Sequence, residues 1–216
     1  MASVLIREFN NNKNNTIIEI YPLGDIHLGA RTCLETEFLE LVKYISATPN
    51  AYWIGLGDYC DFIQMSDPRF DPGSLAPWIA VSDLRNLSTV QADRFIEITK
   101  PIAHKCLGLV KGNHEASIDR FYEHDIYTHI CNEMKRNSKL PADCKIRVGT
   151  TGWLWLKYRL GSEVGSGTRS VRINLHHGFT GGRLAGAKAL NMQKWLWTHD
   201  ADVIIWGHTH NEMLQS

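Results

Sequence analysis

The sequence predicts an α/β fold, and three observations carry that prediction. Short apolar runs rich in β-branched and aromatic residues alternate with longer segments of helical period. Gly, Asp or Asn closes most of the apolar runs, as expected where a strand passes into a loop. No internal repeat and no domain-scale linker interrupts the 216 residues, so one domain over 1–216 is expected. Hydrophobic residues make up 44% of the chain, enough to fill a core of that size.

The elements follow in order. Two apolar runs flank the Asn-rich residues 10–15, which predicts a hairpin over 3–23. Leu34, Phe38, Leu41, Val42 and Ile45 recur at helical spacing. Thr32 and Glu35 read as a capping box for this helix, and Pro49 marks its end. "AYWIGLGD", 51–58, reads as a short buried strand. Residues 64–77 hold three of the seven prolines and read as a loop. Ser88 and Gln91 offer a second capping box, before a helix that Pro101 would kink. "LGLVKG", 107–112, is the next strand, and 115–137 is a polar helical stretch. "WLWLKYRL" and "SVRINLHHG" flank the Gly/Ser-rich 161–168 as a second hairpin. A helix over about 183–198 leads into the strand "ADVIIWG", 201–207.

Composition narrows the function. Lys plus Arg equals Asp plus Glu at 23 each, so no strong overall field attracts nucleic acid or an anionic membrane. Five cysteines without a CxxC pair argue against a disulfide framework and for a reducing compartment. The first sixteen residues lack a signal-peptide pattern, and no apolar run is long enough to span a bilayer. A cytoplasmic protein with no membrane partner is the expectation.

The chemistry lies at the strand ends. These read "GDIH" (24–27), "GD" (57–58), "GNHE" (112–115), "HHG" (176–178) and "GHTH" (207–210). Each is ordinary alone. D-x-H and Gly-Asp are common in turns, and Asn113 with Glu115 could simply cap a helix. Sites in open α/β sheets form beyond the carboxyl ends of strands, so five such segments can converge. Their carboxylate, imidazole and amide donors suit Mn²⁺, Fe, Zn²⁺ or Ni²⁺. A Gly before Asp58, Asn113 and His208 permits a tight turn.

The ordered set "DIH…GD…GNHE…HHG…GHTH" resembles the calcineurin-like metallophosphoesterases, from about Ile17 to His210. The resemblance implies a four-layer β-sandwich flanked by α-helices and a centre of two divalent metal ions, Mn²⁺ first, with Fe, Zn²⁺ or Ni²⁺ as alternatives. Asp25, His27 and His210 would hold one metal. Asn113, His208 and either His176 or His177 would hold the other, with His176 favoured, and Asp58 would bridge. His114 would be catalytic, facing the scissile phosphate without ligating. Asp61 matches a second acid that supports the site, and the segment 62–100 would form a lid.

The substrate expected is a phosphate ester, either a small molecule or a nucleic acid. A nuclease of the same family is the alternative, with Arg31, Lys111, Arg183 and Lys188 as its basic rim. A non-catalytic interaction module is the alternative of another class, disfavoured because every motif residue is present. "GGRLAGAK", 181–188, misses the phosphate-loop pattern. His104, His124, His129 and His199 read as surface or helix-end groups, and Trp153, Trp155, Trp195, Trp197 and Trp206 as packing.

Overall fold

Two four-stranded sheets form the frame. The computed structural model describes residues 3–11, 17–141, 143–160, 167–178 and 185–208. One sheet has β2 (Glu19–Leu23), β3 (Ala51–Gly55), β4 (Cys106–Val110) and β5 (Arg147–Gly149), all parallel. The other runs in the order β1 (Ser3–Asn11), β6 (Thr151–Leu160), β7 (Thr168–His176), β8 (Val203–Trp206). Among the described strands, only β6 and β7 pair antiparallel, as the sequence predicts for a hairpin. The face between the sheets is closed by Leu5, Ile54, Leu56, Val110, Leu154, Ile173 and Leu175.

On the far side of the first sheet lie α1 (Glu35–Ala47), α2 (Leu87–Thr99), α3 (Asn113–Tyr122) and α4 (Ile126–Ser138). Phe38, Val42, Ile45, Phe95, Ile118, Ile130 and Met134 from these helices pack around Trp53 and Leu109. On the outer face of the second sheet, α5 (Ala185–Thr198) rests its Trp195 indole N–H on Asn174 Oδ1 at 2.8 Å. The result is the four-layer helix–sheet–sheet–helix arrangement.

Four details depart from the sequence expectations. The stretch 3–23 is not a hairpin, because β1 pairs parallel with β6 while β2 pairs with β3 in the other sheet. Thr32 and Glu35 do not cap α1, whose N-cap is Leu34. Glu35 instead accepts from Trp78 Nε1 at 2.9 Å and pairs with Arg94, tying α1 to α2. Ser88 and Gln91 lie inside α2, where Gln91 is fully buried and accepts from the Phe62 N–H at 2.9 Å. The polar stretch 115–137 is two helices, broken where Glu123 turns left-handed and Asp125 caps α4 through the Thr128 N–H. β5 is too short to leave a periodic signal. Pro101 ends α2 in a 3₁₀ turn over Lys100–Lys105. Within 62–100, α2 belongs to the helical layer, while 62–69 borders His114.

Candidate metal centre

The loops after β2, β3, β4, β7 and β8 meet at one end of the sandwich. They are laced together by backbone bonds. Asp25 N–H donates to Gly57 O at 3.0 Å, and Ile26 and His27 N–H donate to Asp58 O at 3.0 and 3.1 Å. Gly57 and Gly112 permit this approach. A Cβ on Gly57 would sit 2.4 Å from Gly112 N, and one on Gly112 would sit 2.2 Å from Asp58 N.

The backbone at the centre is strained. Asp25, His27, Asp58 and His208 have φ of 52°, 51°, 51° and 67°, a left-handed conformation that L-residues seldom hold. Such conformations persist where surrounding contacts over-determine them, and they cluster at functional sites. Here they occur at two aspartates and two histidines whose donors gather around Asp58. Donor atoms of Asp25, Asp58, His177 and His208 all lie within 4.8 Å of one another, as do those of His27, Asp58 and His114. Asp58, only 1% exposed, is common to both groups.

The donor set fits a cation. His177 Nδ1 donates to Leu56 O at 2.7 Å, which puts the lone pair of the neutral ring on Nε2. That Nε2 faces Asn113 Oδ1 at 2.8 Å and Asp58 Oδ2 at 3.2 Å. Three electron-pair donors facing one another require positive charge between them, either a proton or a metal ion. Nitrogen and oxygen donors without thiolate match borderline and hard divalent cations. Asp25 accepts the His208 N–H at 2.7 Å, which anchors the last loop to the first.

The model of the calcineurin-like phosphoesterase family matches residues 19–212. The chain belongs to that family. Comparison with curated proteins and with solved structures found no match.

In this family member, His177 rather than the favoured His176 joins the cluster. Val171, Ile173 and Leu175 face the sandwich interior, so His177 shares their side of the alternation. His176 falls with Asn174 on the α5 side. Its ring lies 4.5 Å from Trp195 and 5.0 Å from Trp206, and its Nδ1 accepts the Gly178 N–H at 2.5 Å. Burial, with the charges of His177 and His199, pushes the His176 pKa down to about 4. Exchanging His177 for Ala is therefore expected to lower bound metal by about one equivalent per chain, and His176→Ala to leave it unchanged. Plasma emission analysis of dialysed protein checks both. His210 lies outside the described residues.

Electrostatics favour an ionised Asp58. Burial raises the Asp58 carboxyl, but the His177 hydrogen bond and the charges of His114 and His177 outweigh it and hold the group below its usual range. His177 is raised in turn, because Asp58 outweighs its burial. His114 N–H donates to Asp58 Oδ1 at 2.9 Å, and its Nδ1 donates to Asp61 O. The His27 and His114 rings lie 4.7 Å apart, edge to face. Asp61 Oδ1 stands 3.8 Å from His27 Nδ1.

One residue of the site carries no metal-binding signal in the sequence. Glu115, fully buried, accepts from Gly112 N at 2.8 Å, Asp58 N at 3.0 Å and Tyr59 N at 2.9 Å. The carboxylate is pushed up to about 7 by burial and then by the Asp58 charge, against the Tyr59 and Asp58 N–H bonds. It stitches the "GD" loop to the start of α3. Lys111, expected on a basic rim, is paired with Asp119 at 2.6 Å, and Arg31 is exposed. Arg183 and the Lys188 side chain fall outside the described residues. Among the described residues, no helix is long and apolar enough to cross a membrane.

Proposed function

We propose that this phosphoesterase hydrolyses a phosphodiester or phosphomonoester with two divalent cations, Mn²⁺ first among them. One observation carries the reading: two groups of donor atoms share the buried Asp58 carboxylate. When bound, a cation pair supplies Lewis-acid charge for the phosphoryl oxygens and acidifies a water for in-line attack.

The chain's own residues divide the remaining work. Asp25, His27 and His210 would hold one cation and Asn113, His177 and His208 the other, with Asp58 shared, although the Asp25 donor lies with those of His177 and His208 and the His114 donor with that of His27. His114 keeps Nδ1–H on the Asp61 carbonyl, so Nε2 is the nitrogen that handles a proton at the substrate. Asp61 holds that ring in place. With Nε2 also protonated, His114 is the general acid: the Nε2 proton passes to the departing alkoxide oxygen and leaves the neutral ring with its Nδ1–H on the Asp61 carbonyl.

His114→Ala is expected to keep its metal and to lose about 10²- to 10⁴-fold in kcat, the usual contribution of a positioned acid. Hydrolysis of bis-p-nitrophenyl phosphate and p-nitrophenyl phosphate with Mn²⁺, alongside metal analysis, tests this. Wild-type protein that holds metal yet cleaves neither ester would sink the reading. Loss of metal from the His114 variant would make that residue a ligand instead.

A further inference from the structure

The cavity beside His114 is furnished for an organic group. It holds about 310 Å³ and lies between residues 62–69 and α3. His114 is one of its lining residues, and the buried Phe62 and Ile118 add apolar wall. Phe121 and Tyr122 line it while remaining 67% and 40% exposed, so packing does not account for these rings. The Ser66 hydroxyl lies 2.8 Å from the Tyr122 hydroxyl and fixes that ring across the gap.

Charge in the cavity is balanced. The Arg69 guanidinium grips the Asp67 carboxylate in two places, Nε to Oδ1 at 3.0 Å and Nη2 to Oδ2 at 2.7 Å. An arginine so engaged is a poor clamp for a free phosphate, and Asp67 repels one. The pair still presents N–H donors and carboxylate acceptors side by side, which matches the mixed edge of a heterocycle. The volume is at the low end for ligand sites, enough for one base with its sugar and too little for a duplex.

We propose that this cavity is the leaving-group subsite and takes a nucleobase, stacked on Phe121 and Tyr122 and read along its edge by the Asp67–Arg69 pair. The assignment of leaving group rests on the proposed hydrolysis, since His114, which lines the cavity, is the group that would protonate the departing oxygen. The base could belong to a small nucleotide or to the end of a single strand, and the chemistry of recognition is shared.

Two measurements test it, one of them independent of turnover. Saturation-transfer difference NMR on EDTA-treated protein, with adenosine and with glycerol as probes, should show transfer to adenosine alone, weakened several-fold in Phe121→Ala. With Mn²⁺, kcat/KM should fall roughly tenfold or more in Phe121→Ala for thymidylyl-thymidine and a nucleoside monophosphate, as expected for one lost base stack. It should hold for glycerophosphoethanolamine and glycerol phosphate. A single-stranded oligomer cleaved faster than the dinucleotide would assign the base to a strand end; the reverse would assign it to a small nucleotide.

Adenosine transfer that is absent, or unchanged by Phe121→Ala, overturns the subsite. So does an equal fall on all four esters. Turnover of the glycerol esters without the nucleoside esters removes the subsite and leaves the phosphoesterase reading standing. Adenosine bound at Phe121 with no ester cleaved removes the hydrolase reading and leaves the nucleobase site.

Discussion

Asp58→Asn is expected to abolish turnover almost completely, lowering kcat by about 10³-fold or more and reducing bound metal toward one equivalent. The carboxylate sits where both donor groups meet and is nearly inaccessible to water. On the proposed two-cation reading, replacing one oxygen by NH₂ would remove the negative charge shared by the cations, and several kcal/mol of Lewis-acid stabilisation would go with it. The fold should survive, because the remaining Oδ1 can still accept the His114 N–H. Metal content by plasma emission and kcat with excess Mn²⁺ give the answer together. An Asp58→Asn protein that is fully active and fully loaded would remove the bridge and the two-cation reading with it.

The second large effect is on stability. Glu115→Ala is expected to lower the unfolding free energy by about 3–5 kcal/mol, since three buried N–H groups lose their acceptor at ~1–3 kcal/mol each and part of that is offset by relief of the buried charge. For a chain of this length that corresponds to a fall in Tm of about 10 °C by calorimetry. Glu115→Gln should fall in between, because its NH₂ would face an N–H donor that the carboxylate now satisfies. The loss should also reach the metal centre, since the Asp58 and Tyr59 N–H bonds to Glu115 set the left-handed turn at Asp58. A variant as stable as the parent would mean that desolvating the carboxylate cancels all that its bonds return.

Much of this was legible in the sequence, for reasons that differ by element. The strand-end motifs stood out because metal-ligand residue types recur after apolar runs, and a Gly allows each turn. The choice between His176 and His177 could have been settled by parity: Ile173 and Leu175 mark the inner face, and His177 is in phase with them. Glu115 could not be recognised, because a Glu in the first turn of a helix carries the same local signal whether it caps that helix or reaches a loop near residue 58. Gln91 failed in the same way, as a buried acceptor for Phe62 that mimics a cap in one dimension. The false hairpin over 3–23 shows the limit of local pattern. Two apolar runs around an Asn-rich turn fit a hairpin equally well when each strand belongs to a different sheet.

That division of the first two strands bears on how the chain reaches its native state. Val4 pairs with Trp153 and Ile6 with Trp155, so β1 precedes its partner by most of the sequence. Contacts that distant form late and slow the search, because a long loop must close before they return any energy. Until β6 emerges, β1 lacks its strand partner, and Val4 and Ile6 stay partly exposed even in the finished molecule. During synthesis this unpaired strand is open to capture by chaperones or by another nascent chain.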